Sequence, residues 1–181
     1  MLGFLVAAVA IALIAAVVDI RTGEIPQWLT LGGIGAGATA HLVYAIVRDQ
    51  PSPLGEFGFS FLSALGCAVV PLILYRQDAI GGGDVKLLAA LGAILHWPGM
   101  RTLGFEAEVY SFFAAGLLAP ARLAYEGKLF RTLKNTALLA INPLLPKKRR
   151  RKVEPTLLTW FRFGPAIFIG TALVAYTYWR P

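Results

Sequence analysis

The chain has 181 residues, of which 57% are hydrophobic and 15% charged, and it carries a formal net charge of +7. A soluble domain has about 45 to 50% apolar and about 25% charged residues, so this composition predicts a membrane protein. Most of the basic surplus follows Tyr125 in a stretch containing KKRRRK, which is typical of a membrane topology signal and argues against nucleic acid as a partner. The single cysteine, Cys67, excludes disulfides within the chain and cysteine-based metal sites.

Six apolar segments come near the length of about 20 residues that a membrane-spanning helix needs. In chain order they are 1–18, 28–47, 57–75, 85–97, 109–125 and 163–179. No basic residue precedes Arg21, so we interpret the first segment as a retained helix and not as a cleavable signal peptide. The fourth holds 13 residues before Pro98, about 20 Å of helix. The sequence therefore predicts an all-α bundle of about six transmembrane helices in a single domain, residues 1–181.

The connections between the predicted helices differ in their lysine and arginine content. Those after the first, third and fifth helices hold thirteen such residues, against three in the other connections and the C-terminal end. Because cytoplasmic loops carry the excess, both termini are predicted outside and the basic connection 126–162 in the cytoplasm. We expect this connection to lie against anionic lipid, with contact to pilus or secretion machinery as the alternative. Its apolar stretch 137–146 is suited to the membrane surface but too short to span.

Small residues and two histidines mark the second and fourth helices. Gly33 and Gly37 have the spacing that lets membrane helices approach closely, which predicts tight packing against a neighbouring helix. His41 and His96 lie in or at the end of apolar segments, without a second ligand at metal spacing. We therefore expect both histidines to be hydrogen-bonded within the bundle, and we predict no metal site.

Two carboxylates lie at helix ends on the predicted cytoplasmic side. Asp19 closes the first helix in AAVVDIRTGEIP, and Asp84 opens the fourth in GGGDVKLL. An ionisable residue at the edge of a membrane helix is costly, so its presence there indicates function. Taken singly, Asp84 could be an N-cap and Asp19 a polar end residue paired with Arg21, while Asp78 and Glu24 are expected to be solvated. Only the two acids together favour catalysis, since they come from segments that are distant in the sequence and are predicted to lie at the same depth in the membrane.

Two carboxyl groups placed together can share one proton, because like charges at close range separate their pKa values. Such a pair can activate water against a peptide bond without a metal or another cofactor. Gly81, Gly82 and Gly83 lack the Cβ atoms that would keep a substrate backbone away, and they permit the positive φ of a sharp turn. Because Asp84 lies near the positive end of the helix dipole, we expect it to be the more acidic partner.

At these residues the sequence resembles the type IV prepilin peptidases, a GxGD class of intramembrane aspartic proteases that includes the archaeal preflagellin peptidases. The matching stretches are DIRTGEIPQWLT from Asp19, GGGDVKLLAALGA from Gly81 and RFGPAIFIG from Arg162. Together they cover the first, fourth and sixth predicted helices in the expected order. The resemblance implies a six-helix protease that removes a short basic leader from prepilin-like proteins, just before their hydrophobic helix, at the cytoplasmic face of the inner membrane.

The resemblance also implies roles for individual residues. Asp19 and Asp84 match the two catalytic aspartates of the family. The residues expected to form or support the active-site loop are Gly81, Gly82, Gly83, Lys86, Arg21, Ile25 and Pro26. Larger members of the family carry an N-terminal methyltransferase region with cysteine pairs, whereas 18 residues precede Asp19 here. We therefore expect peptidase activity without N-methylation, as in the stand-alone peptidases of tight-adherence pilus systems and of archaea.

Two other functions stay open on the sequence alone. A small proton-coupled transporter or channel would use the same interfacial acids as a proton relay. It would need further ionisable groups deep in the helices and repeat symmetry between the halves, and the sequence shows neither clearly. An inactive assembly or scaffold protein of the same ancestry is the third possibility, which an activity assay separates from the first.

Overall fold

The structure is a computed structural model and describes residues 2–97, 101–127, 130, 134 and 162–179. Within those residues six helices follow one another, and their bounds are α1 Leu2–Thr22, α2 Gln27–Val47, α3 Pro53–Arg76, α4 Gly82–Ile94, α5 Leu103–Tyr125 and α6 Gly164–Tyr178. A two-residue antiparallel pair, β1 His96–Trp97 with β2 Arg101–Thr102, lies between α4 and α5. Apart from this pair the described chain is helical, which confirms the all-α class.

Several helices extend beyond the predicted apolar segments. The first helix continues to Thr22, so that Asp19 lies in its last turn and not after it. The fifth begins at Leu103, six residues before the predicted start, and therefore carries Glu108 on the helix. The apolar segments underestimate these helices because backbone hydrogen bonding continues where polar side chains find buried or interfacial positions.

Three of the described helices are long and apolar enough to cross a membrane, namely α1, α2 and α3. The helix α6 is apolar but has 15 residues, and α4 has 13, which corresponds to about 20 Å. These helices indicate that the chain is a membrane protein. The six membrane spans and the location of both termini outside stay predictions.

The short helix α4 lies at the centre of the bundle, with ten of its thirteen residues buried. A Cβ built on Gly33 would lie 3.1 Å from Ala90 Cβ, and one on Gly37 would lie 2.9 Å from Ile94 Cγ1. The predicted close packing of the second helix is therefore confirmed, and its partner is α4. In lipid, such close contact of small residues is a main source of helix association.

Glycines also determine how closely α5 packs against α4 and α6. A Cβ on Gly104 would lie 2.6 Å from the Cα of Gly92 on α4, and one on Gly170 of α6 would lie 2.7 Å from the carbonyl oxygen of Ala107. The rings of Phe112 and Phe163 pack with centroids 5.5 Å apart, next to the start of α6. These contacts hold α6 against α5, and α6 also packs along α1.

The chain divides into two compact units, one formed by Met1–Ala115 with Arg162–Pro181 and the other by Gly116–Phe161. The first unit contains both predicted catalytic acids. Most of the second, including nearly all of the predicted basic connection 126–162 and all of its stretch 137–146, lies outside the described residues. The single-domain prediction and the lipid or machinery contacts of this connection stay predictions.

Candidate functional site

Asp19 is held by the start of another helix. Its side chain is buried, with the residue 6% exposed, and its Oδ2 accepts a hydrogen bond of 3.0 Å from the backbone N–H of Gly164. Because Gly164 is the first residue of α6, this N–H has no acceptor within its own helix. A Cβ at this position would lie 2.8 Å from Asp19 Oδ2, so glycine is what allows the carboxylate to approach.

Asp84 is held by the start of its own helix. It is 8% exposed, and its Oδ2 accepts a hydrogen bond of 3.1 Å from the backbone N–H of Gly81. Its own N–H donates to the carbonyl oxygen of Gly81, also at 3.1 Å. Asp84 is therefore the N3 residue of a capping box whose N-cap is Gly81, so Asp84 is not the N-cap that the sequence suggested. The bond occupies Oδ2 and leaves Oδ1 for other partners.

The structure brings the two acids together although they lie on different helices. Asp19 and Asp84 are close enough for their charges to interact. Each is buried, and each has one backbone N–H as its hydrogen-bond donor. Among the described residues, no lysine or arginine nitrogen lies within 4.0 Å of either carboxylate. The arrangement is therefore a buried carboxyl pair whose charge is stabilised by peptide dipoles, of the kind that can share a proton.

The glycines before Asp84 are packing positions. A Cβ on Gly83 would lie 3.1 Å from Ile25 Cβ, and one on Gly82 would lie 3.4 Å from the ring of Tyr75. Gly81 has φ −78° and is the N-cap of α4, and no φ of the three is positive. The expected positive φ is therefore wrong in this structure, because the chain enters α4 from an extended residue and needs no left-handed turn.

The remaining predicted residues differ in burial and in their contacts. Ile25 is buried against Gly83, and Pro26 is the N-cap of α2. Arg21 is exposed at the end of α1 and forms no ion pair with Asp19, while Lys86 is half-buried on α4. Ile25 thus packs the loop after α1 against the first turn of α4, and Pro26 begins α2, whereas Arg21 has no observed contact with the acids.

Sequence reasoning missed two residues of the site. Gly164 donates the hydrogen bond to Asp19, and Arg162 is close enough to Asp19 for their charges to interact. Both belong to the stretch RFGPAIFIG, which carried part of the resemblance but received no role for its residues. A glycine and a basic residue at a helix start could have indicated a partner for a carboxylate.

A second polar cluster lies at the opposite end of α1 and α4. His41 Nε2 lies 3.1 Å from the carbonyl oxygen of Ile94, and its ring stacks on Phe4 with centroids 4.2 Å apart. His96 Nε2 lies 3.3 Å from Glu56 Oε2. The expected hydrogen bond within the bundle is confirmed for His41. It is wrong for His96, because neither of its ring nitrogens has a hydrogen-bond partner in the described part of the chain. Among the described residues, no group of three or more histidine, cysteine or acidic side chains is arranged to hold a metal.

The family model of the type IV leader peptidase family matches residues 6–121, a range that includes Asp19 and Asp84. The chain belongs to this family. The resemblance inferred from the three sequence stretches is thereby confirmed at the level of the family.

Curated relatives are similar to parts of this chain. The prepilin leader peptidase/N-methyltransferase of Burkholderia pseudomallei is 36% identical over 107 residues, which cover 58% of this chain and 33% of the relative. The prepilin peptidase EppA of Methanothermobacter thermautotrophicus is 29% identical over 127 residues, which cover 70% of this chain and 30% of the relative. The chain spans about a third of the length of these relatives. No solved structure matches it significantly.

Proposed function

We propose that the chain is a membrane-embedded aspartic endopeptidase. It removes the short basic leader peptide from type IV prepilin-like proteins at the cytoplasmic face of the inner membrane, which it crosses several times. The observation that carries this proposal is the meeting of Asp19 and Asp84, which lie on separate helices and are both buried. Membership of the type IV leader peptidase family supports the substrate class.

Two carboxyl groups supply the chemistry that hydrolysis of a peptide bond needs. The ionised carboxylate takes a proton from water as the water oxygen attacks the carbonyl carbon, and the protonated carboxyl donates its proton to the carbonyl oxygen. The C–N bond of the tetrahedral intermediate then breaks as the amide nitrogen receives a proton. This mechanism uses no metal or other cofactor.

The location of the acids fits a substrate that is cut just before a membrane helix. Asp19 lies at the end of α1 and Asp84 at the start of α4, so both belong to one end of the bundle. The predicted topology places this end in the cytoplasm, where the basic leader of an inserted prepilin-like protein also lies. The hydrophobic helix of the substrate would then lie in the lipid beside the bundle.

Paired substitutions test the proposal. Asp19→Asn and Asp84→Asn should each lower the cleavage of a prepilin-like substrate by at least about a thousandfold, because each removes one partner of the proton transfer. Cleavage is measured as a size shift of the substrate in proteoliposomes. Asp78→Asn is the matched control, since Asp78 is exposed in the loop before α4 and its φ of 55° suits asparagine.

The proposal is decided by comparing the cleavage rates of the two dyad variants with that of Asp78→Asn. Full cleavage by either dyad variant, at wild-type levels of inserted protein, would end the assignment. Equal losses in all three variants would mean that the substitutions act through folding and not through proton transfer.

One buried acid supports the transporter alternative as a second candidate. Glu108 on α5 is 2% exposed, and its Oε2 has no hydrogen-bond partner. A deep ionisable group of this kind is what a proton relay would need. Proton uptake by proteoliposomes that Glu108→Gln abolishes would favour transport, whereas unchanged cleavage by Glu108→Gln without any proton flux would favour the peptidase.

A further inference from the structure

The two acids of the pair have similar hydrogen bonds but different charged neighbours. Each carboxylate accepts one backbone N–H at a helix start, from Gly164 for Asp19 and from Gly81 for Asp84. The peptide dipoles therefore stabilise a negative charge on either residue to a similar degree. The difference is Arg162, whose charge interacts with Asp19, whereas the charged neighbour of Asp84 is Asp19 itself.

Arg162 lies over the end of α1. It directly precedes Phe163, the N-cap of α6, and its Nη2 is 4.0 Å from the Cβ position of Gly23. Gly23 follows α1, and its N–H donates to the carbonyl oxygen of Asp19 at 2.9 Å. Arg162 is half-buried and does not come within 4.0 Å of the Asp19 carboxylate. The guanidinium thus lies beside the residues that follow Asp19 without occupying a carboxylate oxygen.

We propose that Arg162 is a positioning residue that makes Asp19 the base of the pair and leaves Asp84 as the acid. This inference rests on the proposed peptidase function and differs from the expectation that Asp84 would be the more acidic partner. That expectation considered only the dipole of α4, and the start of α6 supplies Asp19 with an equivalent dipole together with a cation.

The assignment gives each proton a path. The Asp19 carboxylate removes a proton from the attacking water, and the Asp84 carboxyl protonates the carbonyl oxygen of the scissile bond. When the C–N bond breaks, the proton on Asp19 passes to the leaving nitrogen. One hydroxyl of the tetrahedral intermediate returns a proton to Asp84, and its oxygen becomes the carbonyl oxygen of the new carboxylic acid. The pair then returns to its starting charge.

The test is the pH profile of kcat/KM for Arg162→Gln with a prepilin-like substrate in proteoliposomes. Loss of the cation should move the acid limb upward by about 0.5 to 1 pH unit and leave the basic limb in place, because the acid limb reports ionisation of the base. Arg162→Lys should restore most of the wild-type profile. Arg76→Gln, which removes an exposed charge at the end of α3, should leave both limbs unchanged.

Three results would overturn the inference. An acid limb of Arg162→Gln that coincides with the wild type would show that Arg162 does not act on the base. A shift confined to the basic limb would mean that Arg162 acts on the acid, and the roles of Asp19 and Asp84 would be reversed. A uniform fall in rate at every pH, with unchanged limbs, would reduce Arg162 to a structural residue.

A second measurement separates this inference from the proposed function. The infrared band of ¹³C-labelled Asp19 reports the ionisation of that carboxyl directly. It is measured in the Asp84→Asn variant, because this measurement does not need an active enzyme. Addition of Arg162→Gln should move the titration of that band to higher pH. If wild-type protein cleaves no prepilin-like substrate but the band shifts, the peptidase proposal fails while the interaction of Arg162 with Asp19 stands. An unshifted band overturns the interaction itself.

Discussion

The two ends of the bundle show two ways of burying polar groups. At one end, Asp19 and Asp84 are held by backbone N–H groups. At the other end, about 22 Å away along α1, His41 and His96 are held by a carbonyl oxygen, by aromatic rings and by Glu56. The first end uses backbone atoms as partners and leaves carboxylate oxygens available for chemistry. The second uses a backbone carbonyl, aromatic rings and an acidic side chain, and these contacts join helices although neither ring nitrogen of His96 has a hydrogen-bond partner among the residues described.

This difference predicts that the two ends respond differently to substitution. Changes at the acid end should lower activity with little effect on stability, and changes at the histidine end should do the reverse. Four substitutions test that separation, from the largest expected effect to the smallest.

A methyl group on Gly164 should have the largest effect. The added Cβ would lie 2.8 Å from Asp19 Oδ2 and would displace the carboxylate from its N–H donor. Loss of a hydrogen bond to a charged group costs about 1.5 to 3 kcal/mol, so Gly164→Ala should lower the cleavage rate by about 10- to 100-fold. Initial rates of cleavage measure this. Gly66→Ala on α3 is the control because its Cβ meets no atom within 4 Å; equal rates for both variants would contradict the prediction.

Removal of the His41 ring should act on stability. The variant His41→Ala loses the bond to the Ile94 carbonyl oxygen and the stacking on Phe4, and should lower the free energy of unfolding by about 2 kcal/mol. Unfolding in mixed detergent micelles measures it, with the lipid-exposed Val43→Ala on the same helix as the control. A large loss of cleavage at unchanged stability would contradict the separation of the two ends.

The pair of Glu56 with His96 should contribute less. Their atoms approach to 3.3 Å, but neither forms a hydrogen bond with good angles. Because burial lowers the pKa of His96, the contact is an ion pair only in the fraction of molecules in which His96 is protonated. We expect Glu56→Gln to lower the free energy of unfolding by less than about 1 kcal/mol, and the loss should shrink further in high salt. A loss that is independent of salt would indicate packing instead of charge.

The smallest effect is a pH dependence of stability at the histidine end. Burial lowers the pKa of His96, and the nearby Glu56 carboxylate only partly opposes this. Below about pH 6.5 the unfolded chain therefore binds a proton that the folded chain does not, so stability should fall as the pH drops from about 7 to 5. The variant His96→Gln should flatten this part of the unfolding curve. An unchanged slope would assign the acid sensitivity to other groups.

Much of this molecule follows from local sequence patterns. Apolar length and composition predict the helices, and the spacing of Gly33 and Gly37 predicts a close helix contact, which α4 provides. The position of Asp19 and Asp84 at helix ends predicts that they could meet, and the two carboxylates lie close enough for their charges to interact. These features depend on residues near one another in the chain or on a shared depth.

Other features depend on contacts between distant segments and were not predicted. The N–H of Gly164 reaches Asp19 only because α6 packs beside α1, and nothing in the spacing of either segment specifies that pairing. Glu108 lies just before the predicted apolar segment 109–125, yet α5 includes and buries it. Tertiary packing decided both cases.

The length of α4 has a consequence for the lipid around the protein. Its 13 residues span about 20 Å, while the hydrocarbon core of a bilayer measures about 30 Å. This central helix joins both polar ends and is shorter than the hydrocarbon core. The surrounding bilayer must therefore become thinner, or water must enter the bilayer beside the protein. We expect the rate of catalysis to depend on acyl-chain length, with short-chain lipids favouring the active geometry.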